Sequence, residues 1–163
     1  PGNVDDPDLL WSWVEAIGAW LKSQDLRAVW PIHPRTKKCL QSSSQPWWDR
    51  LKSLGMDAAP PMGYVELLKA VHEAPLVLTD SGGVQKEAYS LGRRCIVLRD
   101  CTEWTEQVEE GQSVLCPAPR SLKDSADRLL GHGPFTPGSL YGNGHAATEL
   151  MVKLNLMLKG LDG

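Results

Sequence analysis

Three continuous apolar runs, the first two followed directly by polar segments, constrain the fold of this chain more than any other feature. The runs cover residues 75–79, 94–98 and 113–115, and helical patterns separate them. Apolar runs without polar alternation are typical of strands that are buried on both faces. Such strands alternating with helices form right-handed crossovers in a parallel sheet. We therefore predict one doubly wound α/β domain over residues 1–163, with a parallel sheet.

The remaining elements follow from shorter patterns. A further strand is predicted at residues 27–32, which end at His33-Pro34. A first helix is predicted from about Pro7, with Asp6 or Asp8 as its cap. Further helices are predicted within residues 42–53, 64–72, 84–91, 103–110 and 122–130, with a long one over 146–158 that carries an apolar stripe. We expect these helices to cover both faces of the sheet.

Composition excludes several functions. Seventeen Lys and Arg against twenty Asp and Glu give a net charge of −3 without a basic block, so we expect no nucleic-acid partner. No apolar run approaches the roughly 20 residues that span a bilayer, so we expect no membrane partner. The four cysteines have no zinc-ligand spacing, and isolated thiols predict no metal and a reduced, cytoplasmic protein. The chain begins at Pro1 without Met, and we expect it to be a piece of something longer.

The most informative motif lies directly after the run at 75–79. Ser81, Gly82 and Gly83 stand between a buried strand and a helix, where the first N–H groups and the positive end of the helix dipole can bind an anion. The alternative is a plain tight turn in which Asp80 or Ser81 caps the helix. Glu87 follows one turn later, where a carboxylate can accept ribose hydroxyls or simply favour the dipole.

Two other polar positions follow predicted strands. His33 comes after the strand at 27–32 and can face a cleft, although a structural or surface role is the alternative. Arg99 follows the run at 94–98 and can bind an anion or pair internally with Asp100. Lys86 is expected to be solvated, because it points about 100° away from Glu87 on the helix.

Six segments carry a further signal in their order. They are Asn-Val-Asp-Asp-Pro at 3–7, Pro-Ile-His-Pro at 31–34, Gly-Tyr at 63–64, Thr-Asp-Ser-Gly-Gly-Val-Gln-Lys-Glu-Ala at 79–88, Arg-Asp-Cys-Thr-Glu at 99–103 and Tyr-Gly-Asn-Gly-His-Ala at 141–146. Taken together, they resemble the second half of the non-hydrolysing UDP-N-acetylglucosamine 2-epimerases. The resemblance covers nearly the whole chain.

The resemblance implies a Rossmann-like half of a GT-B-type two-domain enzyme, with the partner N-terminal domain absent from this chain. It implies isomerase chemistry that interconverts UDP-GlcNAc and UDP-ManNAc, needs no cofactor and takes a UDP-sugar as partner; a homodimer is left open. It assigns the diphosphate to Ser81, Gly82 and Gly83, the ribose to Glu87, the uracil to the segment with Tyr64 and Leu67, further UDP binding to Arg99, and a catalytic position near the sugar to His33.

Two departures from the family pattern qualify this reading. Lys86 replaces the first of two consecutive glutamates, and Trp104 replaces an arginine that contacts the diphosphate. Loss of one charge-assisted contact weakens UDP binding by about 1.5–3 kcal/mol. We expect the isolated chain to be inactive as an epimerase, because it lacks the other half of the cleft. The alternatives are a nucleotide-sugar domain of a GT-B glycosyltransferase and a non-catalytic nucleotide-sugar-binding relative.

Overall fold

Parallel strands and helices alternate along the chain. A computed structural model describes residues 3–41, 46–133, 135–142 and 144–159, the last five as backbone only. The helices are α1 (Pro7–Ser23), α2 (Pro34–Leu40), α3 (Trp47–Ser53), α4 (Tyr64–Glu73), α5 (Gly82–Ser90), α6 (Thr105–Glu109), α7 (Leu122–Leu130) and α8 (Ala146–Lys159). The strands are β1 (Ala28–Pro31), β2 (Met56–Ala59), β3 (Val77–Thr79), β4 (Cys95–Val97) and β5 (Ser113–Leu115). Parts of the sequence patterns lie outside the described residues, namely Pro1, Gly2, Ser42 to Gln45 and Asn143.

Every strand pair is parallel, which confirms the predicted fold class. β1 pairs with β2 from Ala28 opposite Met56, and β3, β4 and β5 pair in that order from Val77 opposite Cys95. The described hydrogen-bonded ladders form two sheets, β1-β2 and β3-β4-β5, rather than the one sheet that the sequence predicts. The four predicted strands are present, and β2 is an additional one.

The core lies on both sides of the strands. On one side, which we call face 1, a single buried cluster includes residues of both sheets, Ile32 and Met56 as well as Ile96 and Val114. Helices α1, α2, α3 and α7 contribute Leu10, Leu40, Leu51 and Leu129 to this cluster. On face 2, Val77, Cys95 and Val97 pack against Val71 of α4 and Ala88 of α5. The prediction that helices cover both faces is therefore confirmed.

Several helix boundaries differ from the sequence prediction. Helix α5 begins at Gly82 rather than at residue 84, and α6 begins at Thr105 rather than at 103. The short helix α2 was not predicted at all. Helix α8 forms, but its stripe residues Leu150, Met151 and Leu154 are 58%, 58% and 43% exposed. The expectation that α8 covers a face of the sheet is therefore wrong for its described side chains.

Candidate functional site

The segments that follow β1 and β4 both contact the start of the chain at the carboxyl edge of the strands. Arg35, two residues after His33, forms an ion pair of 2.6 Å with Asp5. Asn3 Nδ2 donates a hydrogen bond to the carbonyl oxygen of Leu98, which precedes Arg99. In open parallel sheets ligands bind at this edge, so the candidate residues lie where the fold favours a site.

The turn between β3 and α5 leaves the start of α5 available to a ligand. Ser81 is the N-cap residue, but its side chain makes no capping hydrogen bond, and its N–H donates to Thr79 Oγ1 at 3.1 Å. Gly82 and Gly83 form the first turn of α5, so their N–H groups point toward the carboxyl edge with the positive end of the helix dipole. Ser81 occupies the N-cap position that the plain-turn alternative gives to Asp80 or Ser81, although without a side-chain capping bond, and anion binding at this turn stays a prediction.

The loop after β4 approaches Gly82 closely. A Cβ atom at this position would lie 3.3 Å from Trp104 Nε1 and 3.4 Å from Glu103 Oε2. The indole Nε1–H of Trp104 donates to the Gly82 carbonyl oxygen at 2.9 Å. The loop after β4 is thereby fixed against the first turn of α5 and forms one wall of the candidate anion site.

Glu87 and Tyr64 are brought together. The Tyr64 hydroxyl donates to Glu87 Oε1 at 2.7 Å, which joins the start of α4 to the second turn of α5. This hydrogen bond is the main reason why the pKa of Tyr64 is raised above its usual value. Tyr64 is 62% exposed, whereas Leu67 is half-buried against the face 2 cluster. The structure therefore places Tyr64 beside the predicted ribose acceptor and gives Leu67 a packing role.

Arg99 pairs with Glu103 and not with Asp100. Its Nη1 and Nη2 donate to Glu103 Oε2 and Oε1 at 3.2 and 3.0 Å. This bidentate bond raises the pKa of Arg99 and lowers the pKa of Glu103. Since Glu103 also lies against Gly82, the Arg99–Glu103 pair adjoins the start of α5. The alternative of an Arg99–Asp100 ion pair is wrong.

Lys86 is enclosed by aromatic rings, and the expectation that it is solvated is wrong. Its Nζ lies 4.2 Å from the ring centroid of Trp104 and 4.6 Å from that of Tyr141. The two rings meet edge to face, with centroids 5.9 Å apart. Tyr141 is fixed in turn by donating to Glu106 Oε1 and accepting from Gln107 Nε2. We call Lys86, Trp104 and Tyr141 the lysine cage.

The lysine cage was missed by sequence reasoning although a signal was present. Lys86 and Trp104 are two of the positions at which the chain departs from the pattern that the resemblance supplies, and they contact each other. Because the two side chains are in contact, we expect the effects of the two departures on UDP binding to be coupled. Tyr141 belongs to a segment that the pattern does match, and nothing in the spacing places it near Lys86.

His33 serves as the N-cap of α2. It is exposed, and its Nδ1 accepts a hydrogen bond from the N–H of Arg35 at 3.3 Å. An accepting Nδ1 leaves Nε2 as the nitrogen that can face a ligand. Within the described part of the chain, no hydrogen bond or ion pair joins His33 to the Ser81–Gly83 turn. The structure thus gives His33 a structural role and leaves its catalytic role untested.

Two further findings concern metal ions and membrane-spanning helices. No group of three or more His, Cys, Asp or Glu side chains is placed to bind a metal ion among residues 3–41, 46–133, 135–142 and 144–154. In the part of the chain that the structure describes, no helix combines the length and the apolar character needed to cross a bilayer.

Comparisons with known proteins agree on one family. The family model for UDP-N-acetylglucosamine 2-epimerase matches residues 1–155. A Pseudomonas aeruginosa UDP-2,3-diacetamido-2,3-dideoxy-D-glucuronate 2-epimerase is 40% identical over 149 residues, which are 91% of this chain and 40% of that protein. A Methanocaldococcus jannaschii UDP-N-acetylglucosamine 2-epimerase is 44% identical over 129 residues, 78% of this chain and 33% of that protein.

Solved structures show the same likeness. The structure of the Methanocaldococcus jannaschii UDP-GlcNAc 2-epimerase superposes with a TM-score of 0.85 at 36% identity, covering 95% of this chain and 43% of that one. A structure of the same enzyme in complex with UDP-GlcNAc and UDP gives a TM-score of 0.80. The chain spans about two fifths of the length of its relatives. On these grounds the chain belongs to the UDP-N-acetylglucosamine 2-epimerase family.

Proposed function

We propose that residues 1–163 form the UDP-sugar-binding domain of a UDP-N-acetylglucosamine 2-epimerase, corresponding to the second half of the enzyme. The observation that carries this proposal is the arrangement around α5. A glycine turn leaves its first N–H groups uncapped, and Glu87 lies one turn further on in contact with Tyr64. The relative whose structure contains UDP-GlcNAc and UDP supports the proposal, because the part of it that aligns with 95% of this chain is 36% identical in sequence.

The geometry suggests how UDP is oriented. The N–H groups of Gly82 and Gly83 donate to diphosphate oxygens, where the helix dipole stabilises negative charge. Glu87 accepts the ribose hydroxyls, and for this its Oε1 shares or releases the Tyr64 hydroxyl. Tyr64, exposed at the start of α4, then flanks the uracil. The same N–H groups stabilise UDP as it leaves, which is the electrostatic part of the elimination step.

The domain forms only one wall of the cleft in which the reaction takes place. Inversion at C2 by elimination and return of UDP needs groups that remove and return a proton on opposite faces of the sugar. His33 is the one proton-transfer candidate that the resemblance assigns to this chain, and a single imidazole does not reach both faces without reorientation. Water exclusion also requires a second wall. We propose that the isolated chain binds UDP but does not catalyse epimerisation, and that the partner N-terminal domain completes the cleft.

A second substrate is favoured by one relative. The Pseudomonas aeruginosa protein at 40% identity is named for a UDP-2,3-diacetamido-2,3-dideoxy-D-glucuronate substrate. Both substrates carry UDP and an amide at the inverted carbon, so the domain proposed here binds the shared part. Specificity for the sugar depends on contacts made by the complete cleft. Turnover of both UDP-sugars by the complete enzyme therefore decides between them.

Isothermal titration tests the binding proposal. We expect UDP to bind the 163-residue chain, and Glu87→Gln to weaken binding about tenfold, the lower end for a charge-assisted hydrogen bond. With 2′-deoxy-UDP the effect of Glu87→Gln should shrink, because one hydroxyl partner is gone. Glu73→Gln at the exposed end of α4 is the matched control. Absence of heat or chemical-shift change at millimolar UDP would contradict the proposal.

NMR of the sugar signals tests the expected inactivity. The purified chain incubated with UDP-GlcNAc should show no inversion at C2 above background. Turnover that disappears in His33→Ala would refute the one-wall argument and would indicate a catalytic dimer. Transfer of the sugar to an acceptor would instead favour the glycosyltransferase alternative. UDP binding without any turnover by the complete protein would favour the non-catalytic relative.

A further inference from the structure

Two charged side chains flank the glycine turn at the start of α5. Gly82 and Lys86 are four residues apart on this helix, and residues at this spacing lie one above the other on the same face. Gly83 and Glu87 are related in the same way. Because a helical side chain covers the turn that precedes its own Cα atom, Lys86 extends toward Gly82 and Glu87 extends toward Gly83. Both charges therefore lie beside the turn.

The contacts of these two side chains place them on different sides of the helix start. Glu87 accepts a hydrogen bond from the Tyr64 hydroxyl at the start of α4. Lys86 lies against the ring of Trp104 in the loop after β4, and Trp104 Nε1–H donates to the Gly82 carbonyl oxygen. The turn thus has a carboxylate on the side of α4 and an ammonium group on the side of the loop after β4.

Three carboxylates adjoin the lysine cage, and each accepts a hydrogen bond from a group other than Lys86. The pairs are Glu87 with Tyr64, Glu103 with Arg99, and Glu106 with Tyr141. Among the side chains that the structure describes, no carboxylate forms an ion pair with Lys86. The two rings attract the ammonium group through their π faces and carry no negative charge. The charge of Lys86 is therefore held beside the turn without being neutralised there.

The proposed position of the ribose gives the direction in which a nucleotide crosses the turn. With the ribose at Glu87, a phosphate attached directly to the ribose lies at the N–H groups of the turn. A second phosphate in the same nucleotide lies further from the ribose, and the turn separates Glu87 from Trp104 and Lys86. The second phosphate is therefore expected on the side of Lys86, whereas a monophosphate ends at the turn.

We infer that Lys86 is a specificity-determining residue of this site, whose ammonium group stabilises the second phosphate of UDP or of a UDP-sugar electrostatically. Because the two rings already hold the Lys86 side chain, it loses little conformational freedom when the phosphate binds. Lys86 thereby favours uridine diphosphates over uridine monophosphate, while the Gly82–Gly83 turn and Glu87 bind the part that both nucleotides share. The inference rests on the proposed function and adds to it the group that distinguishes the two ligands.

Isothermal titration of the 163-residue chain with UDP and with UMP tests the inference. Lys86→Met removes the charge and keeps an unbranched side chain that packs well against aromatic rings. We expect this variant to weaken UDP binding about fivefold, the effect of one unit charge about 4 Å away in water, and to change UMP binding by less than about twofold. Lys86→Arg keeps a cation against the rings and should retain most of the preference for UDP. Lys69→Met, at an exposed position of α4, is the matched control for the loss of one positive charge.

Salt dependence and phosphorus NMR separate this electrostatic role from a structural one. The difference in UDP affinity between the original chain and Lys86→Met should shrink between about 0.05 M and about 0.5 M salt. In the ³¹P spectrum of bound UDP, Lys86→Met should shift the β-phosphorus signal more than the α-phosphorus signal.

Several results would overturn the inference. If Lys86→Met weakens UDP and UMP equally, or weakens neither, Lys86 does not distinguish the two ligands, although UDP binding by the original chain would still support the proposed function. A larger shift of the α-phosphorus signal would place the charge at the first phosphate. A loss of the UDP preference in Lys86→Arg as large as in Lys86→Met would show that packing and not charge is responsible. Absence of UDP binding by the original chain would refute the proposed function and this inference together.

Discussion

The lysine cage predicts that substitutions at positions 86 and 104 have coupled effects on UDP affinity. A single substitution does not measure this coupling. The family pattern has a glutamate at position 86 and an arginine at position 104, where this chain has Lys86 and Trp104 in contact. Trp104→Arg adds, beside the proposed diphosphate site, the cation that the resemblance expects there. The substitution also places that cation beside Lys86, because the Lys86 Nζ lies 4.2 Å from the centroid of the Trp104 ring that the arginine would replace. The informative experiment is therefore a cycle of Lys86→Glu, Trp104→Arg and the double variant.

The opposing contributions are of similar size. A charge-assisted hydrogen bond to phosphate is worth about 1.5–3 kcal/mol. Two like charges about 4–5 Å apart repel by roughly 1 kcal/mol in water and by roughly 4 kcal/mol at an effective dielectric constant of 20. Both side chains are half-buried, so the repulsion lies between these limits and offsets the gain. In the double variant the pair becomes attractive, and the gain of the arginine is retained.

Isothermal titration with UDP measures the cycle. We expect Trp104→Arg alone to change Kd by less than about threefold and the double variant to bind about tenfold more tightly than the original chain. Lys69→Glu on the exposed side of α4 controls for the change in net charge. Equal tightening in Trp104→Arg and in the double variant would refute the coupling. Far-UV circular dichroism in urea checks folding, because Trp104→Arg also removes the hydrogen bond to Gly82, worth about 1 kcal/mol.

Three further predictions concern stability and reactivity. Thr102→Val should lower the free energy of unfolding by about 1–3 kcal/mol in urea titrations, because it leaves Oε1 of the fully buried Gln85 unpaired. Burial raises the pKa of the Cys95 thiol to about 12, so iodoacetamide at pH 8 should label the exposed Cys101 and not Cys95, as read by mass spectrometry. Asp127→Asn should destabilise the protein at neutral pH and have progressively less effect as the pH falls below about 4.

Each of these predictions has its own check. Thr148→Val on the exposed surface of α8 should leave stability unchanged, and an equal loss there would remove the role of the Gln85 bond. Labelling of Cys95 at the rate of Cys101 would show that β4 opens readily. The pKa of Asp127 is lowered first by Lys123 and then by Trp20, so its stabilising contribution is complete above the unfolded-state pKa and is lost as the pH falls through the folded one. A destabilisation by Asp127→Asn that stays constant down to pH 2 would contradict this cause.

The sequence predicts β1 and the three apolar strands β3, β4 and β5, and it misses β2. β3, β4 and β5 are recognisable because burial on both faces requires continuous apolar residues. β2 contains Asp57, whose carboxylate bonds Arg27 in a bidentate manner, and two alanines with low β propensity. Its pairing with β1 is a tertiary effect that no local pattern carries. The same holds for the interruption between the two sheets, which depends on which strands are neighbours.

Helix α2 was missed for a different reason. Pro34 was interpreted as the end of a strand, although proline is also favoured at the first position of a helix. His33 supplies the cap through Nδ1, a role that Ser, Thr, Asp and Asn usually fill. Helix α8, in contrast, was predicted as a helix, but its packing was not predicted correctly. Its apolar stripe correctly predicted a helix, but a periodic pattern does not identify the surface against which a helix packs.

The candidate site likewise has a part that the sequence predicts and a part that depends on tertiary contacts. The parts that depend on backbone geometry, Ser81 to Gly83 and the position of Glu87 one turn later, follow from a local motif and can be placed from sequence. The partners of these residues, Tyr64 for Glu87 and Trp104 for Gly82, come from segments 23 and 22 residues away and need the fold. The resemblance indicates that positions 86 and 104 depart from the family pattern, but only the structure shows that their side chains are in contact.

That coupling changes what the two departures mean for charge at the proposed diphosphate site. The side-chain charges of a glutamate at position 86 and an arginine at position 104 sum to zero, whereas those of Lys86 and Trp104 sum to +1. Arg99 and Glu103 neutralise each other beside Gly82, and within the described residues no ion pair joins Lys86 to a carboxylate. At the proposed diphosphate site the chain therefore has a cation that lies against two aromatic rings, one turn into α5, instead of the arginine that the resemblance expects. A charge so placed favours an anion over distance and is screened by salt, while a bidentate arginine acts by contact.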